Sequence, residues 1–472
     1  MRKTKIICTL GPACDSDEML KKMIQNGLDC ARLNFSHGTH EEQKVRMDRV
    51  KRIREELGIP LPILLDTKGP EIRIRDFKNG KINLKAGDTF IFSPDKDLVG
   101  DETICGLTYP NLADFLHVGD KILADDGKIS FCVTKIDGRN IVTKVLNDGP
   151  LSNHKSINIP NVIIDMPYIS EADRSDIIFG IEQCVDYIAA SFVRRKEDVY
   201  ALRELLKEYD TSNKIKIISK IENTEGISKM DEIIEASDGV MVARGDMGVE
   251  VPFKILPGIQ KEIISKCYRA GKIVVTATQM LDSMQQNPRP TRAEVSDVAN
   301  AIYDRTTAIM LSGESAAGKY PLESVTAMAE IAEATEANIN WSERYHKNAL
   351  DLGDSFNSAI CNSAVTCAYQ IGAKAIICVT INGVTAFNLA AYRPECPIIA
   401  ICVNEKACRQ LNLAWNVYPI YGETKKTTDE LLAYAIEKAM ETNLVKKGDK
   451  VIITGGSKLG DYGTDTFKLH II

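Results

Sequence analysis

Lys214-Ile215-Lys216-Ile217-Ile218-Ser219-Lys220-Ile221-Glu222-Asn223 is a short isoleucine-rich run that ends in charge, and Gly239-Val240-Met241-Val242-Ala243-Arg244-Gly245-Asp246 repeats the form. The residues between them, 226–235, are amphipathic and charged. An apolar run, a helical stretch and a second apolar run make a βαβ unit, the building block of a parallel sheet. The same rhythm extends outward. Further apolar runs lie at 4–10, 28–35, 62–67, 187–192, 272–278 and 308–312, with helical stretches at 15–26, 39–57, 195–209, 258–269 and 292–303. Eight strands with helices between most of them predict a closed (β/α)8 barrel.

The rhythm breaks between 67 and about 167. Turn pairs such as Asn79-Gly80, Asp126-Gly127 and Asp137-Gly138 separate short alternating runs, including 128–135 and 140–146. This texture predicts an all-β insertion on the loop after strand three, placed as a lid over the barrel mouth. From about 355 a third texture begins. Helices are expected at 355–371 and 427–442 and strands at 373–380, 397–403 and 450–454, an open α/β unit joined by an irregular, polar linker at 338–354. The expected domains are a barrel (1–69 and 168–345), an inserted β-barrel lid (70–167) and a C-terminal α/β domain (346–472).

A chain of 472 residues exceeds one hydrophobic core, so several domains are expected on length alone. A net charge of −6 argues against a general nucleic-acid binder, which carries a basic face. No apolar run approaches the roughly 20 residues of a membrane helix, and no signal peptide is read at the N-terminus. The thirteen cysteines are scattered without a CxxC pair, and the six histidines lack metal-ligand spacing. A soluble, cytoplasmic protein with reduced thiols is expected.

Chemistry in such a barrel sits at the C-terminal strand ends. Those ends read Arg32-Leu33-Asn34-Phe35-Ser36-His37, Asp66-Thr67-Lys68, Lys220-Ile221-Glu222, Arg244-Gly245-Asp246, Thr278-Gln279 and Ser312-Gly313-Glu314. Period-two alternation turns Arg32, Asn34 and Ser36 one way, and Lys220 with Glu222. Glu222 and Asp246 offer hard oxygen ligands for Mg²⁺, while Lys220 and Arg32 supply charge for an anionic substrate. Phosphoryl transfer needs mainly positioning and charge neutralisation, which such a set provides. Taken singly, each has a plainer reading: Lys220–Glu222 an ion pair, Thr278 a satisfied hydroxyl, Asp66 a turn cap. Their joint placement on several strands at one end favours the functional reading. Residues 313–320 nearly match a GxxxxGK[ST] phosphate loop, but Tyr320 replaces the metal-binding hydroxyl, so a nucleotide loop is rejected.

These strand ends resemble the pyruvate kinase family. The stretch 217–226 is similar to that family's active-site lysine signature, and 31–38, 65–73, 243–248 and 277–281 match in order. The resemblance implies phosphoryl transfer from phosphoenolpyruvate to ADP, giving pyruvate and ATP. It implies Mg²⁺ (or Mn²⁺) on Glu222 and Asp246, and K⁺ on Asn34, Ser36, Asp66 and Thr67, with Glu71 the residue of K⁺-requiring members. Lys220 would stabilise the transferring group and the enolate, and Arg32 would grip the phosphate. Thr278 would stand where the enolate gains its proton, and Gly245 and Asp246 would meet the substrate carboxylate. Asn34, His37, Arg73 and Lys155 would contact the nucleotide.

A sugar-phosphate effector, fructose bisphosphate in type, is implied at Thr380, Asn382 and Thr385 with Ser457 and Lys458; both loops read equally well as plain turns. A homotetramer is suggested, and no further phosphotransferase-like domain is read before Ile472. Two other readings stand against this one. A metal-enolate lyase or aldolase would have no use for Lys220 or the lid. A regulatory protein that had lost the chemistry would lack Lys220, Glu222 or Asp246.

Overall fold

The computed structural model describes residues 2–209, 214–347, 350, 352, 353, 355–456 and 463–472. Barrel strands one to eight are Lys5–Thr9, Cys30–Asn34, Ile63–Asp66, Tyr187–Ala190, Lys216–Ile221, Gly239–Ala243, Ile273–Ala277 and Ala308–Leu311. All pair in parallel, and strand eight closes on strand one, with Lys5 opposite Ala308 and Cys8 opposite Leu311. The near-continuous apolar runs follow from burial on both faces. Ile6, Cys8, Leu33, Leu65 and Ile217 pack outward with the helices. Ile7, Leu64, Tyr187, Ile218, Met241 and Met310 fill the lower interior, with Leu413 of the C-terminal unit in the same cluster. The upper interior carries the polar residues.

Helix starts follow their caps. Ser16 caps Asp17–Gln25 by accepting from the Met19 N–H. Thr39 and Glu42 form a capping box on His40–Leu57, which stops at Gly58 in the left-handed region (φ 64°). The single helix expected at 226–235 is instead two, Thr224–Ser228 and Met230–Ala236. Asn223 caps the first by accepting from the Gly226 N–H, and Lys229 departs from helical geometry between them. Helix Pro321–Ala337 escapes the sequence reading because its buried face mixes Val325, Met328 and Ala332 with the polar Ser324, Thr335 and Glu336. The expected irregular linker holds a helix, Trp341–Lys347, anchored by the buried Trp341.

The insertion leaves barrel strand three and returns before helix Glu171–Glu182. Its main sheet has seven strands, and a bridge between Ile74 and Leu107 brings that sheet's two outer margins together. A second, two-stranded sheet pairs Lys81–Leu84 with Gly149–Ser152. Phe90, Phe92 and Phe131 pack together in a core of its own. The C-terminal unit is a five-stranded sheet ordered Val417–Tyr421, Ile398–Cys402, Ala375–Thr380, Lys450–Gly455, Thr466–Ile471, with only the last strand antiparallel. Its two outer strands lack a buried apolar run, which hides them in the sequence. Among the described residues no helix is long and apolar enough to cross a membrane.

The C-terminal unit docks under the barrel. Arg409 pairs with the buried Asp186 at 2.9 Å, and the Gln410 amide donates to the Asp186 and Lys214 carbonyls. At the same floor the buried Lys5 ammonium donates to the Val417 carbonyl at 2.8 Å. Burial brings its pKa down to about 8 from 10.5. The unfolded chain therefore holds a proton that the folded chain releases between these values. The cost of burying the charge is complete below pH 8 and gone above 10.5. Relative to Lys5→Met, the native chain gains about 3 kcal/mol of stability between pH 8 and 10.5. Urea unfolding of both proteins at the two pH values checks this.

Candidate active site

Strand register sets the first half of the site. Strand two lies against strand three with Asn34 opposite Asp66, so Arg32 and Asp66 rise from neighbouring strands into the barrel mouth. Asp66, 1 % exposed, accepts from Arg32 Nε at 2.7 Å and from Lys220 Nζ at 3.1 Å. Burial pushes its carboxyl up, but the two cations outweigh burial and hold it below the usual range. Lys220 also donates to Ser191 Oγ at 2.8 Å. Burial works against its charge; Asp66 and Glu222 overcome that and raise its pKa. Arg32 Nη1 donates to Thr9 Oγ1 at 2.7 Å.

Glu222 is fully buried. Its Oε2 accepts from the Phe192 N–H at 2.7 Å. Its Oε1 is ion-paired with Lys220 Nζ at 3.0 Å, in a geometry that leaves it without an aligned hydrogen bond among the described residues. Burial pushes this carboxyl up to about 8; Lys220 opposes the rise and Asp246 adds to it. Three carboxylates, Asp66, Glu222 and Asp246, thus face two cations, Arg32 and Lys220. The place is short of positive charge, and buried carboxyl groups in excess of their cations are unfavourable as carboxylates without a further cation. Among the described residues no cluster of three or more His, Cys, Asp or Glu forms a metal cage. A Mg²⁺-like ion suits that arrangement, because it takes one or two carboxylates and leaves positions for substrate oxygens.

Asp246 lines a cleft of about 350 Å³ between barrel mouth and lid, with Glu71, Asn158 and Glu250. Asn158 reaches across to Glu250 at 3.2 Å, so lid and barrel touch at its edge. Beside Asp246, the Gly245 N–H donates to Thr278 Oγ1 at 2.8 Å. Thr278 and Gln279 both take left-handed backbone conformations (φ 67° and 51°), which cost energy in non-glycine residues and persist only when surroundings hold them. Arg244 does the holding: its Nε donates to the Ala277 and Thr278 carbonyls at 3.2 and 3.1 Å, and its Nη1 pairs with Asp297 at 2.5 Å. Arg244→Lys, which lacks the planar fork, is expected to lower turnover about 100-fold by releasing Thr278 from its held conformation. Steady-state kinetics check this.

The other expected residues divide. Asn34 Oδ1 accepts from the Ser36 N–H at 3.1 Å, and Thr67 O accepts from Ser191 Oγ at 2.7 Å. With Asp66 they form a set of oxygen donors alone. His37 is exposed at the mouth. Arg73 folds onto Glu71 and onto the His154 carbonyl. Lys155 pairs with Asp125 inside the lid at 2.9 Å. In the C-terminal unit, Thr380 Oγ1 accepts from Gly383 N–H and Asn382 Oδ1 from Val384 N–H, while Thr385 bonds to Thr464. Ser457 and Lys458 lie outside the described residues. Sequence reasoning misses Thr9, Ser191 and Arg244 as supports. The first two stand at the ends of strands one and four, where the strand-end rule would have found them.

A family model described as "Pyruvate kinase, barrel domain" matches residues 1–325, and "Pyruvate kinase, alpha/beta domain" matches 358–470. The chain belongs to the pyruvate kinase family. It is 47% identical to a pyruvate kinase of Clostridium acetobutylicum over the whole length of both. It is 49% identical to that of Geobacillus stearothermophilus, covering all of this chain and 80% of that protein. A crystal structure of a pyruvate kinase from Cryptosporidium parvum superposes with a TM-score of 0.95 at 38% identity, covering 100% of this chain and 96% of that one. The protein is a phosphotransferase with pyruvate kinase activity, transferring a phosphoryl group from phosphoenolpyruvate to ADP.

Proposed function

We propose that Glu222 and Asp246 hold a divalent cation, Mg²⁺ or Mn²⁺, against phosphoenolpyruvate, and that Arg32 and Lys220 carry its anionic charge. The excess of buried carboxyl groups, Asp66, Glu222 and Asp246, over the two cations Arg32 and Lys220 is the observation that carries this reading. The ion, when bound, supplies charge neutralisation for the phosphoryl group and the substrate oxygens. Asn34, Ser36, Asp66 and Thr67, all oxygen donors, would hold K⁺.

Arg32 grips the phosphate while Asp66 fixes its fork. Lys220, charged and anchored by Asp66 and Ser191, stabilises the phosphoryl group in flight and the enolate left behind. The Gly245 and Asp246 backbone receives the substrate carboxylate at the start of helix Arg244–Glu250. Thr278 Oγ1 relays the proton to the enolate once the substrate carboxylate takes the Gly245 N–H from it. Asn34, His37, Arg73 and Lys155 contact the nucleotide once the lid closes and water leaves. Lys155 and Arg73 must first exchange their carboxylate partners for phosphate. The Thr380–Thr385 loop takes a sugar phosphate, and the enzyme is a cytoplasmic homotetramer.

A lactate-dehydrogenase-coupled assay tests this. Pyruvate should form only with phosphoenolpyruvate, ADP and a divalent metal together, and K⁺ should raise the rate. Pyruvate formed from phosphoenolpyruvate at full rate without ADP would overturn the kinase reading.

A further inference from the structure

A second cluster of cations lies far below this mouth, where the barrel, the helix Trp341–Lys347 and the C-terminal unit meet. A cavity of about 10 Å³, lined by Arg305, Arg344 and Arg393 with Tyr268, Trp341 and Trp415, opens there. The guanidiniums stack on the rings: Arg305 over Tyr268 at 4.5 Å and Arg393 over Trp415 at 4.7 Å. Arg393 is only 9 % exposed. Its Nη2 donates to the Arg305 carbonyl and Thr307 Oγ1, but its Nε and Nη1 have no hydrogen-bond partner among the described residues. No described carboxylate lies in ion-pair range of Arg305 or Arg393. The nearest acids are committed elsewhere, Asp304 to Lys261 and Glu336 to the Lys3 and Thr4 N–H groups.

A buried cation without a counter-charge is strongly unfavourable, and further guanidiniums beside it add repulsion. Burial pushes Arg393 down to about 9 and Arg344 to about 10. Ring faces relieve part of this, but they do not satisfy the Nε and Nη1 donors. One water-sized particle fills the space, since about 10–15 Å³ is what a single water requires. A water would meet the donors and leave the charge. A monatomic anion meets both, whereas a phosphate or a carboxylate-bearing metabolite exceeds the space.

We propose that the Arg305–Arg393 pocket binds one small inorganic anion of the halide class, which ties the barrel to the C-terminal unit. Bromide is the probe, because it scatters anomalously and resembles chloride. Crystals of the full-length enzyme grown with sodium bromide should show an anomalous peak within hydrogen-bonding reach of Arg393 Nε or Nη1. In solution at fixed ionic strength, replacing gluconate by bromide should raise the unfolding temperature saturably by about 2 °C or more. Arg393→Met should abolish that rise; if this variant does not fold, Arg305→Met takes its place. The peak together with loss of the rise supports the site. Absence of the peak from wild-type crystals, or a bromide response equal in wild type and variant, overturns it.

Discussion

Lys220→Met is expected to lower kcat for ADP-dependent pyruvate formation by at least about 1,000-fold while leaving a folded protein. The size follows from the role proposed for Lys220. A single preorganised neutral donor at a developing charge is worth about 10²–10³ in kcat, and Lys220 is a full positive charge in a site from which water is excluded. No other side chain replaces it, because Arg32 is held by Asp66 at 2.7 Å and by Thr9. The fold survives for a separate reason. Asp66 keeps Arg32 and Ser191, and Glu222, which burial pushes up against the opposing Lys220, is held more firmly in its neutral form once that neighbour disappears. Removing one partner of a buried pair costs about 3–5 kcal/mol, and this protonation reduces the cost below that range. Circular dichroism and a coupled assay on the purified variant check both halves. A variant retaining near-native kcat would remove Lys220 from the mechanism.

The barrel was legible because its strands are buried on both faces and its helices on one. Ile217, Ile218 and Ile221 could only belong to a doubly covered strand, and Thr39 with Glu42 wrote the start of a helix in side chains. Elements whose stability comes from packing alone were not legible. Helix Pro321–Ala337 buries Val325 and Met328 beside serine, threonine and even Glu336, which binds the Lys3 and Thr4 amides, so polar residues interrupt its apolar stripe. Strand Thr466–Ile471 forms by pairing with Lys450–Gly455, while its own residues remain largely exposed. The split at Lys229 depends on one dihedral pair that composition does not encode.

At the proposed site, the strand-end rule singled out Arg32, Asp66, Lys220, Glu222, Asp246 and Thr278 because position on the barrel and chemistry pointed the same way. What it could not supply was the support between them. Ser191 was overlooked as an ordinary hydroxyl, although it bridges Lys220 and the Thr67 carbonyl. Arg244 stood in the strand-end motif with no role assigned; its guanidinium clamps the Ala277 and Thr278 carbonyls. The Arg305–Arg393 cluster joins residues 88 positions apart in the chain, so no local pattern announces it.

Glu222→Gln carries the second large effect. It preserves shape and the Phe192 contact while removing charge, so kcat is expected to fall by about 1,000-fold or more even at saturating metal. Loss of residues that merely orient a metal ligand costs about 10–100-fold in affinity, and loss of a ligand itself costs at least the upper figure. Asp246→Asn should behave alike, since the two carboxylates act on one ion. The direct measurement is Mn²⁺ binding followed by electron paramagnetic resonance, with no substrate present, on wild type and both variants. The account predicts a single wild-type site that each substitution alone weakens by about 100-fold. Wild-type Mn²⁺ affinity in either variant would mean that Glu222 and Asp246 do not share a cation.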